Sequence, residues 1–187
     1  MATAPELRHP DPPLTDGVVV LRRVRGDDVD QIVAATADPL IKRFTSSIPD
    51  PNGPDEVRGW IDTHRADEVA GVELSFAIAD AADEARLLGM TSLHEFSWRD
   101  RRCATGYWVA PWARRRGVAT RATRLVADHA LTTLGLARVE LLADIDNTPS
   151  QRVAEHAGFI REGTLHRHTL MGGELRDCAI YGRLAQA

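Results

Sequence analysis

Gly106-Tyr107-Trp108-Val109, followed closely by Arg114-Arg115-Arg116-Gly117-Val118-Ala119-Thr120, is the stretch that decides the reading of this chain. It reads as an apolar strand, a basic turn and the opening of a helix. A turn with glycine at its centre aims several backbone N–H groups at one point, and the helix behind it adds the positive end of its dipole. That combination suits a pyrophosphate, so a phosphate-bearing ligand is predicted here. The bare pattern Arg/Gln-x-x-Gly-x-Gly/Ala is weak, since three arginines can also be an exposed basic turn. Its strand–turn–helix setting gives it weight.

The segments on either side supply a fold around that turn. Upstream, Val18 to Leu21 reads as a first strand, Asp27 as the cap of a helix carrying Val29, Ile32 and Val33, and Ser46 to Pro54 as a loop. Pro54 opens a second helix with Val57, Trp60, Ile61 and His64 at helical spacing. The period then changes to two, and Val72, Leu74, Phe76 and Ile78 alternate with Glu73, Ser75 and Ala77 as a half-buried strand. Strands over Leu87 to Leu93 and Cys103 to Ala110 follow on short connections, which favours antiparallel neighbours. Downstream, Ala122, Val126, Ala130 and Leu134 mark a helix ending at Gly135, and Val139 to Ala143 a strand. This is one crossover unit. Thr148-Pro149-Ser150-Gln151 reads as a capping box with Thr148 as the cap, for a helix that Gly158 ends. Phe159-Ile160 begins another strand, and Cys178 to Leu184 is reached through a Met171-Gly172-Gly173 turn. The order is α+β, a mostly antiparallel sheet with helices on its faces.

Composition bounds the function. The chain has 187 residues with 43% hydrophobic and 27% charged residues, an ordinary soluble domain. A net charge of −4 argues against general nucleic-acid or anionic-membrane binding. Two cysteines, Cys103 and Cys178, without ligand spacing argue against a structural zinc site, and no metal is expected. Residues 1–14 are polar and proline-rich without the apolar run of a signal peptide. The expectation is a loose tail, a single domain over 15–187 and a cytoplasmic protein.

Several features, in order, carry a resemblance. They are Leu21-Arg22, Gly106 to Val109, the Arg114 to Thr120 turn, Asn147-Thr148-Pro149-Ser150, Ala157-Gly158-Phe159 with Glu162-Gly163, and Asp177 to Tyr181. Together they resemble the GNAT-superfamily N-acetyltransferases, most of all the RimJ/RimL-type branch that acetylates ribosomal-protein N-termini. The resemblance implies a sheet of about seven strands flanked by about four helices, acetyl-CoA as cosubstrate, and direct attack of an amine on the thioester. It assigns the backbone of Arg116, Gly117, Val118, Ala119 and Thr120 to the pyrophosphate, Arg114 to a place beside the phosphates, and Val109 to the pantetheine arm. Val109 N–H is also a candidate oxyanion donor, in a gap where two strands splay. Asn147 is either a pantetheine contact or a plain turn asparagine. Ser150 is either the acid that protonates the departing thiolate or a serine satisfying helix donors.

The acceptor side departs from the branch. Where its enzymes use a glutamate after the Glu-Gly pair, this chain has His166-Arg167-His168-Thr169. His168 is the candidate base, against the plain reading of an exposed turn histidine. Glu73, Glu95 and Asp144 are alternatives, and Trp98, Trp108 and Trp112 are candidates to line an acceptor groove. A protein N-terminal α-amine is the first expectation for substrate, with a polyamine or antibiotic amine, or a non-catalytic acyl-CoA sensor, as rivals. The resemblance leaves a homodimer open.

Overall fold

The computed structural model describes residues 7–45 and 48–186. Its elements are β1 (Leu14–Thr15), β2 (Val19–Arg22), α1 (Val29–Thr36), α2 (Pro39–Phe44), α3 (Pro54–Ala70), β3 (Leu74–Asp80), β4 (Asp83–Ser97) and β5 (Arg102–Val109), followed by α4 (Val118–Thr132), β6 (Arg138–Asp144), α5 (Thr148–His156), β7 (Ile160–Met171) and β8 (Glu174–Leu184). The strands form one sheet in the order β1-β2-β3-β4-β5-β6-β8-β7. Among the described residues only β5 and β6 pair in parallel, joined by the crossover through α4. The mixed α+β class and the crossover unit are therefore as predicted, with eight strands and five α-helices among the described residues.

The two additional elements are the shortest. β1 has two residues and follows a proline-rich segment that hides any strand pattern. The six-residue α2 starts at Pro39, with the Asp38 side chain accepting from the Leu40 and Ile41 N–H groups at 3.0 and 3.1 Å. Both signals, an Asp cap and proline in the first turn, stand in the sequence as Asp38-Pro39. The expected loose tail over 1–14 needs correction from Leu7 onward. Leu7 is buried in the core, and His9 packs edge-on against Phe76 at 4.8 Å. Residues 1–6, and Ser46 and Ser47 of the expected loop, lie outside the described residues.

β3 is buried on both faces rather than one. It lies between β2 and β4, and helices cover the sheet, so Ser75 and Ala77 are as enclosed as Leu74 and Phe76. Val72 stays outside the strand and exposed. The buried Arg22 is fully occupied: its guanidinium meets Asp28 at 2.7 and 2.8 Å and the Glu84 carbonyl at 2.8 Å. A buried charge pair is tolerated only when its remaining donors are satisfied in this way. No helix among the described residues is long and apolar enough to cross a membrane.

Candidate active site

The pairing of β5 opens a gap in the sheet. Toward β4 it continues to Gly89↔Val109, but toward β6 it stops at Thr105↔Leu141. β6 meanwhile follows β8 as far as Asp144↔Cys178. Gly106 to Val109 and Leu142 to Asp144 therefore diverge. Ala110 N–H bonds the Leu88 carbonyl at 2.9 Å. Bonded and non-bonded pairs alternate along an antiparallel ladder. The N–H and C=O of Val109, and of Tyr107 two residues earlier, therefore face away from β4 and into the gap. The predicted splay is present. It opens into a cleft of about 1000 Å³.

The basic turn closes one end of this cleft. Gly117 has φ +73° and Arg115 φ +60°, so the chain doubles back in left-handed geometry just before α4. The first bond onto the turn runs from Arg121 N–H to the Gly117 carbonyl at 3.1 Å. The Val118, Ala119 and Thr120 N–H groups thus precede the helical ladder, and all three residues line the cleft with Gly117. The arginines divide unexpectedly. Arg114 lines the cleft, but its guanidinium grips Asp38 at 2.6 and 3.2 Å and holds that carboxyl below its usual range. Arg114, expected beside the phosphates, is thus already paired with a carboxylate of the protein. Arg116 does not line the cleft and lies 4.0 Å from Asp80. Arg115, not singled out from sequence, lines the cleft without an ion pair among the described residues.

At the other wall, Asn147 rather than Thr148 caps α5, because its Oδ1 reaches the Ser150 N–H at 3.2 Å. Asparagine is among the strongest caps, and Pro149 shifts to the second helical position. Gln151 does not complete a capping box, since its amide donates to the Ile145 carbonyl at 2.8 Å. Asn147 retains its side-chain NH2 on the cleft wall. The Ser150 hydroxyl accepts from the Tyr107 hydroxyl at 3.0 Å, which leaves its own proton free to donate. Burial pushes Tyr107 up to about 12, so it stays a donor through the neutral range.

The acceptor end differs most from expectation. His168 is exposed on β7 and does not line the cleft; Thr169, the next residue, does. Successive strand residues point to opposite faces. His166 is exposed and bonded to Asp177 at 2.8 Å. Asp144 lines the cleft but is held by Arg176 at 3.1 Å. Glu73 lines it with Oε1 accepting from Ser75 Oγ at 2.8 Å, and Ser75 in turn meets His64 Nδ1 at 3.2 Å. The single Ser75 proton points to Glu73, so His64 donates from Nδ1 and keeps its lone pair on Nε2, which is sealed without a partner. His64, Asp67 and Glu73 bring donor atoms within 4.8 Å, but His64 and Glu73 are already engaged through Ser75. Glu95 lines the cleft at an exposed bulge, and His94 beside it bonds Ser92 Oγ at 3.1 Å. The tryptophans of the lining are Trp60 and Trp108, not Trp98, which stacks on Phe96, nor Trp112, which donates to the Leu87 carbonyl. Cys103 and Cys178 are buried free thiols. Sequence reading missed Tyr107, His94 and the Ser75 link, since only strand register brings them to the gap.

Residues 19–160 match the family model described as an acetyltransferase (GNAT) domain, about three quarters of the chain. The chain belongs to the GNAT acetyltransferase family. Among solved structures, RimJ of Mycobacterium smegmatis in complex with CoA-disulfide is 28% identical. It covers 92% of this GNAT chain and 86% of its own, with a TM-score of 0.82. Ribosomal-protein-serine acetyltransferase of Escherichia coli (strain K12) is 26% identical over 101 residues, 54% of this chain and 56% of that protein. Spermidine N(1)-acetyltransferase of the same organism is 29% identical over 89 residues, 48% of each. Like the match to YdaF of Bacillus subtilis (strain 168), these two span about half of the curated relative's own length. The RimJ/RimL-type resemblance is thus as read. The residues of the cleft also suit CoA: an extended pantetheine arm can pair with the free edge of β5, and a pyrophosphate with the α4 turn.

Proposed function

We propose that this GNAT protein transfers acetyl from acetyl-CoA to a primary amine, a protein N-terminal α-amine in the first place. The observation that carries this is the free β5 edge lying between the α4 turn and Ser150, with Tyr107 bonded to the Ser150 hydroxyl. Acetyl-CoA when bound supplies the acetyl group as an activated thioester. In this reading the Val118, Ala119 and Thr120 N–H groups take the pyrophosphate and Asn147 donates to the pantetheine arm. Val109 N–H donates to the carbonyl oxygen as negative charge develops on it. Ser150 gives its proton to the leaving sulfur, and the Tyr107 donor lowers the cost of the charge then left on Ser150 Oγ.

The acceptor follows from what the far end of the cleft can do. An α-amine of pKa ~8 is roughly 10% neutral at pH 7, a cost of about 1.4 kcal/mol, against about 4.6 kcal/mol for a lysine of pKa ~10.4. Of the imidazoles and carboxylates there, His64 and Glu73 are already engaged through Ser75, His94 with Ser92 and Asp144 with Arg176. That suits the more acidic amine. The ribosomal-protein-serine acetyltransferase relative supports the same choice. A polyamine is the second reading, favoured by Glu73, Glu95 and Asp146 on the cleft wall and by the spermidine acetyltransferase relative. A cytoplasmic location belongs to this proposal.

Thiol release from acetyl-CoA, measured with free-N-terminus peptides, the same peptides N-terminally blocked but carrying lysine, and spermidine, separates the readings. Release with free N-termini alone is expected. Preference for spermidine moves the acceptor class. Acetyl-CoA binding without release for any acceptor sinks the enzyme in favour of a sensor.

A further inference from the structure

The acceptor amine must lose a proton, and neither His168 nor the paired Asp144 is available to take it. Of the imidazoles near the acceptor end, His64 has its lone pair sealed on a buried Nε2, while His166 and His168 lie outside the lining. His94 differs on each count. It lines the cleft, its Nδ1 bonds Ser92 Oγ, and its Nε2 is neither bonded nor among the buried unpartnered atoms of the described residues. Its position follows from register. His94 pairs with Ala104, and Ser92 with Gly106, the first β5 residue beyond the last β5–β6 pair. A Cβ at Gly106 would lie 3.4 Å from His94 Cε1, so the ring sits over the apex of the gap, where the absent side chain leaves room. The β4–β5 register then shifts between His94 and Ser97, with Glu95 at φ +53°. Such bulges re-aim side chains beside active sites.

We propose that His94 is the general base, a role that rests on the transferase reading above. In that role the tautomer is the one whose Nδ1–H donates to Ser92 Oγ, which leaves the lone pair on Nε2. The ammonium N–H bond breaks, the proton passes to Nε2, and the freed electron pair forms the new bond to the acetyl carbon; the second N–H proton leaves as the adduct collapses and the C–S bond breaks, and through solvent it replaces the proton that Ser150 gives the sulfur. The imidazolium then returns its proton to solvent. The charged and titratable groups that line the same cleft are Glu73 on the β3 side, His64 on α3, Arg43 on α2, Asp144 on β6 and Asp146 beyond it, Tyr107 on β5, Arg114 and Arg115 of the turn, and Glu95 next to His94 on β4.

The test is the pH profile of kcat/KM for acetyl transfer to a free-N-terminus peptide, with wild type, His94→Gln, Ser92→Ala and Glu73→Gln. His94→Gln should lower kcat/KM about 10²-fold at pH 7. The deficit should shrink toward pH 9.5, where the amine is already neutral, with acetyl-CoA affinity by calorimetry within about 2-fold. Ser92→Ala should give a smaller deficit of the same shape. Imidazole 15N spectra should show His94 unprotonated at Nε2 in wild type and redistributed in Ser92→Ala, a readout independent of turnover and of the fold of His94→Gln. A pH-independent deficit, an Nε2-protonated His94, or a Glu73→Gln variant that alone carries the pH-dependent loss overturns the assignment. Wild-type release with an unaffected His94→Gln removes His94 alone; no wild-type release for any acceptor removes the transferase reading and His94 with it.

Discussion

Ser150 stands where two bonds meet, receiving one from Tyr107 and keeping a proton to give. Ser150→Ala should lower kcat about 10²-fold while the Kd of acetyl-CoA changes little, because the backbone N–H groups of the α4 turn remain. Stopped-flow thiol release with calorimetry checks both. An equal loss of affinity and turnover would make Ser150 a structural residue of α5. At this scale the sequence was partly legible. Ser150 and Val109 are on the cleft because motif and strand end fix them. His168 was read one residue away from the strand face that looks into the cleft, an error that a period of two turns into a complete inversion. Tyr107 and His94 belong to no local pattern. They reach the gap through β4–β5 pairing, and single-chain spacing carries no record of register.

Asp38 does two jobs at the scale of elements. It caps α2 and, by holding Arg114, ties that helix to the start of the cofactor turn. Leu40, Ile41, Arg43 and Phe44 of α2 also line the cleft, so the acceptor wall and the phosphate turn share one carboxylate. Asp38→Ala should cost about 1 kcal/mol through the lost cap, seen as a lower Tm. It should also bind acetyl-CoA several-fold more tightly, since Arg114 is then free for the phosphates. Weaker binding would mean that the pair orients the turn rather than occupying Arg114. Long periodic helices and the crossover were readable because each buries a continuous face. The six-residue α2 offers too few turns for periodicity, and only the Asp38-Pro39 dipeptide announced it.

The whole molecule is strapped by its N-terminal segment, with Leu7 in the core and His9 against Phe76. Burial foremost, then the charges of Arg23 and His129, lowers His9 to about 4. The native form is therefore the neutral ring. Its contribution is complete above the ordinary value of 6.5 and is lost as pH falls through about 4. His9→Gln should be less stable than wild type at pH 7 but should lose less Tm between pH 6.5 and 4, a difference that calorimetric scans at matched salt read directly. A parallel acid loss in both proteins would place the titrating group elsewhere. No composition signal foretold this strap, because a proline-rich opening looks alike whether it dangles or packs. The split between β5 and β6 has a consequence of its own. A sheet with a gap carries four edges instead of two, and the inner pair is a strand template sheltered from other chains by the walls of the cleft. Recognition along that inner edge uses main-chain groups that every sequence possesses, so it survives side-chain drift around it. Amide exchange at Tyr107 and Val109 should accordingly slow when acetyl-CoA is added, and unchanged exchange would mean that the inner edge stays unzipped.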